Sequence, residues 1–222
     1  MNADLAPPRA ILFDWDNTLV DTWETLRVAI NAALLAFGRA PWTIAETRQR
    51  VRRSLRDSFP DLFGADWQEA RDIFYRTFEA QHLATLEPLP GAGRLVAELA
   101  AHLPLGVVSN KQGPLLRREA DQLGWTAHFQ TLVGATDAAR DKPDRAPVDL
   151  AMKGIKIPNL GHVWFVGDTA LDMQTAHAAG CVPVLFGKGH GDMADLTAYP
   201  PRLIVQDMDH LGTVWRKLRG GG

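Results

Sequence analysis

Arg9–Asp14 (RAILFD) reads as a short strand that is apolar on both faces and then turns abruptly acidic. A strand of that kind is buried on both faces, and the elements that follow say what covers it. From Pro88 onward the chain keeps supplying partners for it. Helix Arg94–His102 leads to strand Leu105–Ser109, then to helix Pro114–Leu123 and strand Thr131–Gly134. Helix Ala146–Gly154 precedes strand His162–Gly167, helix Ala170–Ala179, strand Val182–Phe186, strand Leu203–Val205 and helix Met208–Arg219. Strands alternating with helices of ten or so residues are βαβ units around a parallel sheet.

The segment between the first strand and this series is different. Thr22–Phe37 carries Leu26, Ala29, Ile30, Ala33, Leu34 and Phe37 on one helical face, with Gly38 as its stop. Thr43 and Glu46 stand at capping-box spacing after Pro41–Trp42, so a second helix starts there. A third fits Asp66–Leu86, where Trp67, Ala70, Ile73, Phe74, Thr77 and Phe78 share a face. No strand signal occurs from Asp21 to about Glu87. The fold class expected is α/β: a Rossmann-like parallel sheet core from residues 1–20 and 89–222, with an α-helical domain of residues 21–88 inserted after the first strand.

Composition narrows the function. With 222 residues, 46% hydrophobic and 23% charged, the chain has enough apolar material for a real core. A formal charge of -2 steers it toward neither nucleic acid nor membrane. A lone cysteine, Cys181, excludes an internal disulfide framework and a cysteine-only zinc site, and fits a reducing cytosol. The start MNADLAPPRA lacks the basic end and apolar stretch of a signal peptide, so a cytoplasmic location is expected.

Ligand sites in open parallel sheets lie at the carboxyl ends of the strands. Three such ends carry unusual polar groups: Asp14-Trp15-Asp16-Asn17-Thr18, then Ser109-Asn110, then Gly167-Asp168-Thr169-Ala170-Leu171-Asp172. Lys142-Pro143 falls between the last two. One aspartate at a strand end is usually a turn former or a helix cap. Their joint occurrence, each at the correct end of a strand, exceeds what capping requires.

These residues resemble the four motifs of the haloacid dehalogenase-like superfamily of phosphatases. A hydrophobic strand ending in D-x-D-x-T stands as ILFDWDNTLVDT, and a strand ending in Ser as LGVVSN. The lysine motif stands as DKPDRAP, and G-D-x-x-x-D followed by A-x-x-A-G as VGDTALDMQTAHAAG. The helical insertion lies where phosphoglycolate phosphatase-like members carry a cap. Two positions depart from the pattern: Asn17 replaces the usual Gly, and Arg145 stands where Pro is common. Asn visits the left-handed backbone region more readily than other non-glycine residues, so the turn can survive.

The resemblance implies that Asp14 is the nucleophile and that Asp16 first donates and then accepts a proton. It implies that Ser109 and the amide of Asn110 bind the phosphoryl oxygens, and that Lys142 neutralises charge on them. Asp14, the backbone carbonyl of Asp16 and Asp168 would hold Mg²⁺, with Asp172 ligating it or orienting a bound water; Thr18 would brace the loop. Simple electrostatics points the same way. Two like charges at ~4 Å repel by ~4 kcal/mol at an effective dielectric near ~20, so four converging aspartates call for a hard divalent cation with oxygen ligands. The implied activity is hydrolysis of a small phosphorylated metabolite by a monomer or homodimer. A phosphoryl-transferring mutase and a non-catalytic binding protein are the rivals, although the latter would ordinarily have lost Asp14 or Asp16.

The other signals are weaker. Gly187-Lys188-Gly189-His190-Gly191 lacks the Walker spacing and reads as a flexible loop, and His162 and His177 as packing or capping residues. The scattered tryptophans look like core anchors and not a base-stacking platform. The run Arg48, Arg50, Arg52, Arg53, Arg56 is a solvated helix face, or else Arg52 or Arg53 grips the charge of a substrate. The first lysine in the chain is Lys111, so the inserted segment has no amine for the Schiff-base chemistry of phosphonate-cleaving relatives.

Overall fold

The computed structural model describes residues 5–51, 55–190 and 193–220. In chain order its strands are β1 (Ala10–Phe13), β2 (Val20–Asp21), β3 (Glu87–Pro88), β4 (Leu105–Gln112), β5 (Thr131–Ala135), β6 (Val163–Thr169), β7 (Val182–His190) and β8 (Leu203–Val205). The helices are α1 (Trp23–Ala36), α2 (Ile44–Arg50), α3 (Leu55–Phe63), α4 (Trp67–Gln81), α5 (Ala92–Ala100), α6 (Gly113–Gln122), α7 (Ala146–Ile155), α8 (Ala170–Ala179), α9 (Met193–Ala198) and α10 (Met208–Gly220). The chain divides into two compact units, residues 21–87 and the remainder.

In the larger unit every residue of β1 is buried, and the strand sits in the middle of a six-stranded parallel sheet of order β5-β4-β1-β6-β7-β8. Ile11 lies opposite Leu105 of β4, and Phe13 opposite Val166 of β6. Leu12 and Phe165 pack on Val148 and Ala151 of α7 and on Ala176 of α8. The chain builds the sheet to one side of β1 and then crosses to build the other. The crevice at the carboxyl end of β1, between β4 and β6, is therefore the topological switch point where ligands of such sheets bind.

Two strands are irregular at that same end. The register of β4 against β5 shifts between Val108 and Gln112, and that of β6 against β7 shifts between Gly167 and Thr169. Bulges of this kind re-aim side chains, and here they fall on Ser109, Asn110, Lys111 and Asp168. Strand β7 also runs to His190, with Thr169 opposite His190. The expected flexible loop at Gly187–Gly191 is thus paired backbone through His190. A glycine-rich run lacks a strand-forming side-chain pattern, but its peptide groups still bond once β6 presents an edge.

The smaller unit is helical apart from its ends, where β2 and β3 form a two-stranded sheet. The Thr43–Glu46 capping box forms as the spacing predicts. The helix expected over Asp66–Leu86 is shorter, ending at Gln81, and α3 was not anticipated. Pro60 lies inside α3 and would by itself cost about 3 kcal/mol. Phe59 and Phe63 are buried against each other, with Phe74 and Phe37 beside them. Burial at about 1.5–3 kcal/mol for each ring offsets the proline, an outcome that depends on tertiary contacts. In the arginine run, Arg48 stacks over Trp23, and Arg50 over Trp42 while pairing with Glu46.

Among the described residues no helix is long and apolar enough to cross a membrane. Asn31 ties α1 to the start of α2, donating to the Trp42 carbonyl at 2.8 Å and accepting from the Trp42 amide at 2.7 Å. Asn31→Ala strands both peptide groups and should cost about 1–3 kcal/mol, read as a fall in the denaturant midpoint.

Candidate active site

The sheet ladder carries Asp14 to the mouth of the crevice: its amide donates to the Val166 carbonyl at 2.8 Å, continuing the β1–β6 pairing. Its carboxylate is buried, as are those of Asp168 and Asp172, and one oxygen from each lies within 4.8 Å of the others. Lys142 is the cation among them. Its Nζ donates to Asp14 Oδ1 and to Asp172 Oδ1, both at 2.7 Å. Thr18 donates to Asp168 Oδ1 at 3.2 Å, tying the turn after β1 to the end of β6.

Asp172 serves two purposes at the start of α8. Its Oδ2 accepts from the Thr169 amide and hydroxyl at 3.0 and 2.6 Å, completing a capping box, while its Oδ1 faces Lys142. That approach requires Gly167. A Cβ there would lie 2.3 Å from Asp172 Cγ, so only hydrogen fits. Asn17 adopts φ +60°, and its amide closes the turn onto the Val20 carbonyl at 2.7 Å. The turn keeps its left-handed step without glycine.

Three carboxylates against one ammonium leave the cluster electrostatically short of positive charge. Burial pushes the Asp14 carboxyl up to about 7, with Lys142 opposing and the charges of Asp172 and Asp16 adding to it. Burial also holds Asp168 well above the ordinary carboxylate range, reinforced by Asp172 and Asp14. For Lys142 burial acts downward, but Asp14 and Asp172 outweigh it and hold the ammonium above the usual lysine range. An all-oxygen donor set with surplus negative charge fits a hard divalent cation.

The sequence-derived residues do not all arrive with the roles their positions suggest. The Asp16 side chain is not part of the three-carboxylate cluster; its Oδ1 lies 2.7 Å from Lys111 Nζ. Ser109 is buried, with its Oγ accepting from the Lys111 amide at 3.2 Å. The Asn110 side chain brackets the peptide of Lys142, donating to its carbonyl at 3.1 Å and accepting from its amide at 3.0 Å. It thereby positions the lysine, a task its sequence position does not advertise. Lys111 and Glu119 were not singled out from sequence as site residues, yet both are buried beside Asp16. The one available signal was that Lys111 directly follows Ser109-Asn110 at a strand end. Arg52 and Arg53 lie outside the described residues.

Comparison with known proteins adds a family to this geometry. Residues 11–185 match the family described as haloacid dehalogenase-like hydrolase. A phosphoglycolate phosphatase of Photorhabdus laumondii is 32% identical over 219 residues, covering 93% of this chain and 92% of that protein. One of Xylella fastidiosa is 35% identical over 178 residues, 78% of this chain and 77% of the relative. Among solved structures, a haloacid dehalogenase-like family hydrolase of Streptococcus pneumoniae superposes with TM-score 0.83 at 23% identity, over 94% of this chain and 98% of that one. A predicted phosphatase of Clostridium acetobutylicum gives 0.83 at 20% identity, covering 96% and 100%; these two show the fold.

Two outcomes follow for the site. Gly167→Ala should cost about 1–3 kcal/mol by forcing Asp172 from its place, measurable as a lower thermal midpoint. The second concerns cation and pH. Folded Asp14 binds its proton more tightly than the unfolded chain, whose carboxyl titrates near 3.8. In metal-free protein its contribution to stability is therefore present below that value and is lost as pH rises through about 7. A divalent cation competes with protons for the same oxygens. Mg²⁺ should then raise the thermal midpoint more at about pH 8 than at about pH 5, by differential scanning fluorimetry against a chelated control. The absence of any shift at the higher pH would remove the cluster as a metal site.

Proposed function

The chain belongs to the haloacid dehalogenase-like hydrolase family and is a phosphoric monoester hydrolase, and we propose that it hydrolyses small anionic esters of the phosphoglycolate kind through a phosphoryl-aspartate on Asp14. The observation that carries this reading is the buried Asp14 carboxylate at the switch point, with Lys142 and two further aspartates around it. A carboxylate there has the surroundings of a nucleophile for an anionic substrate: a fixed cation to receive developing charge, and little water.

In the first step a carboxylate oxygen of Asp14 attacks phosphorus and the ester P–O bond breaks. Asp16 gives its proton to the departing alkoxide. In the second step a water attacks the same phosphorus, its proton passes to the Asp16 carboxylate, and the bond to Asp14 breaks to release phosphate. Atoms and protons balance over the two steps, and both aspartates are restored. Ser109 Oγ and the backbone amide of Asn110 hydrogen-bond the phosphoryl oxygens, and Lys142 offsets their charge.

Asp14, Asp168 and the Asp16 carbonyl would hold Mg²⁺, with Asp172 ligating it or orienting a bound water. When bound, the cation supplies charge neutralisation at the phosphoryl group. Residues 21–87 are the cap in this reading, and Arg52 and Arg53 are its candidates for a second anionic group on the substrate.

The test is phosphate release across a panel of small phosphate esters, phosphoglycolate among them, with and without chelator. Turnover is expected to need Mg²⁺, with Ca²⁺ a poor substitute because of its larger and looser coordination. Asp14→Asn should lose activity by at least about a thousandfold while keeping its thermal midpoint, since the change removes one of three crowded charges. Ordinary turnover by that folded variant would overturn the covalent route. Interconversion of phosphate isomers without free phosphate would make the protein a mutase.

A further inference from the structure

Beside the three-carboxylate cluster lies a second buried ionic group that the mechanism above does not use. Glu119 of α6 is fully buried, and its Oε2 accepts from two donors at 2.6 Å each: Trp15 Nε1 and Lys111 Nζ. Lys111 in turn reaches Asp16, with Nζ 2.7 Å from Oδ1. The lysine side chain is 3% exposed and that of Glu119 1%, whereas Asp16 keeps 26% of its side chain open. The order is therefore an anchor inside, a cation in the middle and a partly open carboxylate at the end.

A buried lysine–glutamate pair is a poor way to add stability, because a well-packed apolar pair of similar size does as well or better. What the pair does supply is position. The Trp15 ring is wholly buried, edge-on to Trp125 at 5.8 Å and to Phe129 at 6.4 Å, so the donor to Glu119 cannot drift. Glu119 thus fixes both the residue that precedes Asp16 in the chain and the ammonium that faces its carboxylate. Lys111 itself comes from the irregular end of β4, and its amide donates to Ser109 Oγ.

We infer that Lys111 is the positioning residue for Asp16. It is pinned by Glu119 and Trp15, so that Oδ1 faces the ammonium and Oδ2 is the oxygen left to exchange a proton with the leaving group. The inference rests on Asp16 being the acid of the proposed mechanism. Lys111 touches neither the reacting phosphorus nor the leaving oxygen in this assignment, and it acts through Asp16 alone.

Leaving-group dependence separates this role from a structural one. An alkyl phosphate needs its departing oxygen protonated, whereas p-nitrophenyl phosphate leaves as a stable anion and needs the acid far less. The measurement is kcat/KM for both esters, which reports steps up to release of the alcohol or phenol. Lys111→Met should lose on the order of tenfold or more on the alkyl ester, and several-fold less on the aryl ester. Because this change leaves Glu119 buried without its cation, the double variant Lys111→Met with Glu119→Gln is measured beside it; the glutamine oxygen can still accept from Trp15. Lys111→Arg should recover part of the alkyl activity.

Asp16→Asn serves as the reference. If it shows the alkyl-selective loss while the folded Lys111 variants lose both esters equally, or neither, Lys111 has no positioning role and the mechanism stands. If Asp16→Asn shows no such selectivity, Asp16 is not the acid and both readings fall.

Discussion

Lys142 holds together an arrangement that would otherwise repel itself. Its ammonium sits 2.7 Å from Asp14 and 2.7 Å from Asp172, and these two carboxylates belong to elements far apart in sequence: one ends the first strand, the other opens α8. Remove the cation and two buried negative charges face each other, with Asp168 beside them. Uncompensated charge at that depth is among the most destabilising things a fold can contain. The bridge also falls short of full compensation, since one positive charge meets three negative ones. That deficit makes the cluster a candidate to hold a cation.

The surrounding structure is arranged to deliver these groups without slack. The hydrogen bond from the Asp14 amide to Val166 places the nucleophile candidate as an extension of the sheet, so its position is as rigid as the sheet itself. Asp172 is fixed by the helix it caps, and Gly167 supplies the space it occupies. Asn110 clamps the peptide of Lys142 from both sides. Each part is held by backbone or by a buried polar partner, and none depends on an exposed ion pair. Exposed pairs such as Arg145–Asp149 and Arg140–Asp144 bond none of these groups, and such contacts are worth about 0–1 kcal/mol.

Two lysines each bridge a pair of acidic residues, while Asp168 accepts from Thr18. Lys142 answers Asp14 and Asp172, and Lys111 answers Asp16 and Glu119. In the proposed mechanism Asp14 and Asp16, although two residues apart, have different tasks, and each faces its own lysine. Different cations and different burial give them different surroundings.

Much of this was legible from residue order alone. Strands alternating with helices pointed to a parallel sheet, and the polar groups at three strand ends pointed to its carboxyl edge. Thr43 with Glu46 announced a capping box, and Asn17 a tolerable left-handed turn, because these depend on neighbours a few residues away. The rest depended on contacts between distant segments. Pro60 inside a helix is tolerated only because Phe59 and Phe63 find other rings; His190 is in a strand only because Thr169 lies opposite it. Asp16 turns toward Lys111, and Glu119 is a buried anchor 104 residues from the Trp15 it holds. Sequence determines what is local or strictly periodic, since propensity and patterning act within a few residues. Which of several acidic groups meets which lysine is decided only when the sheet closes, because the cost of burying a charge is set by what stands next to it in space.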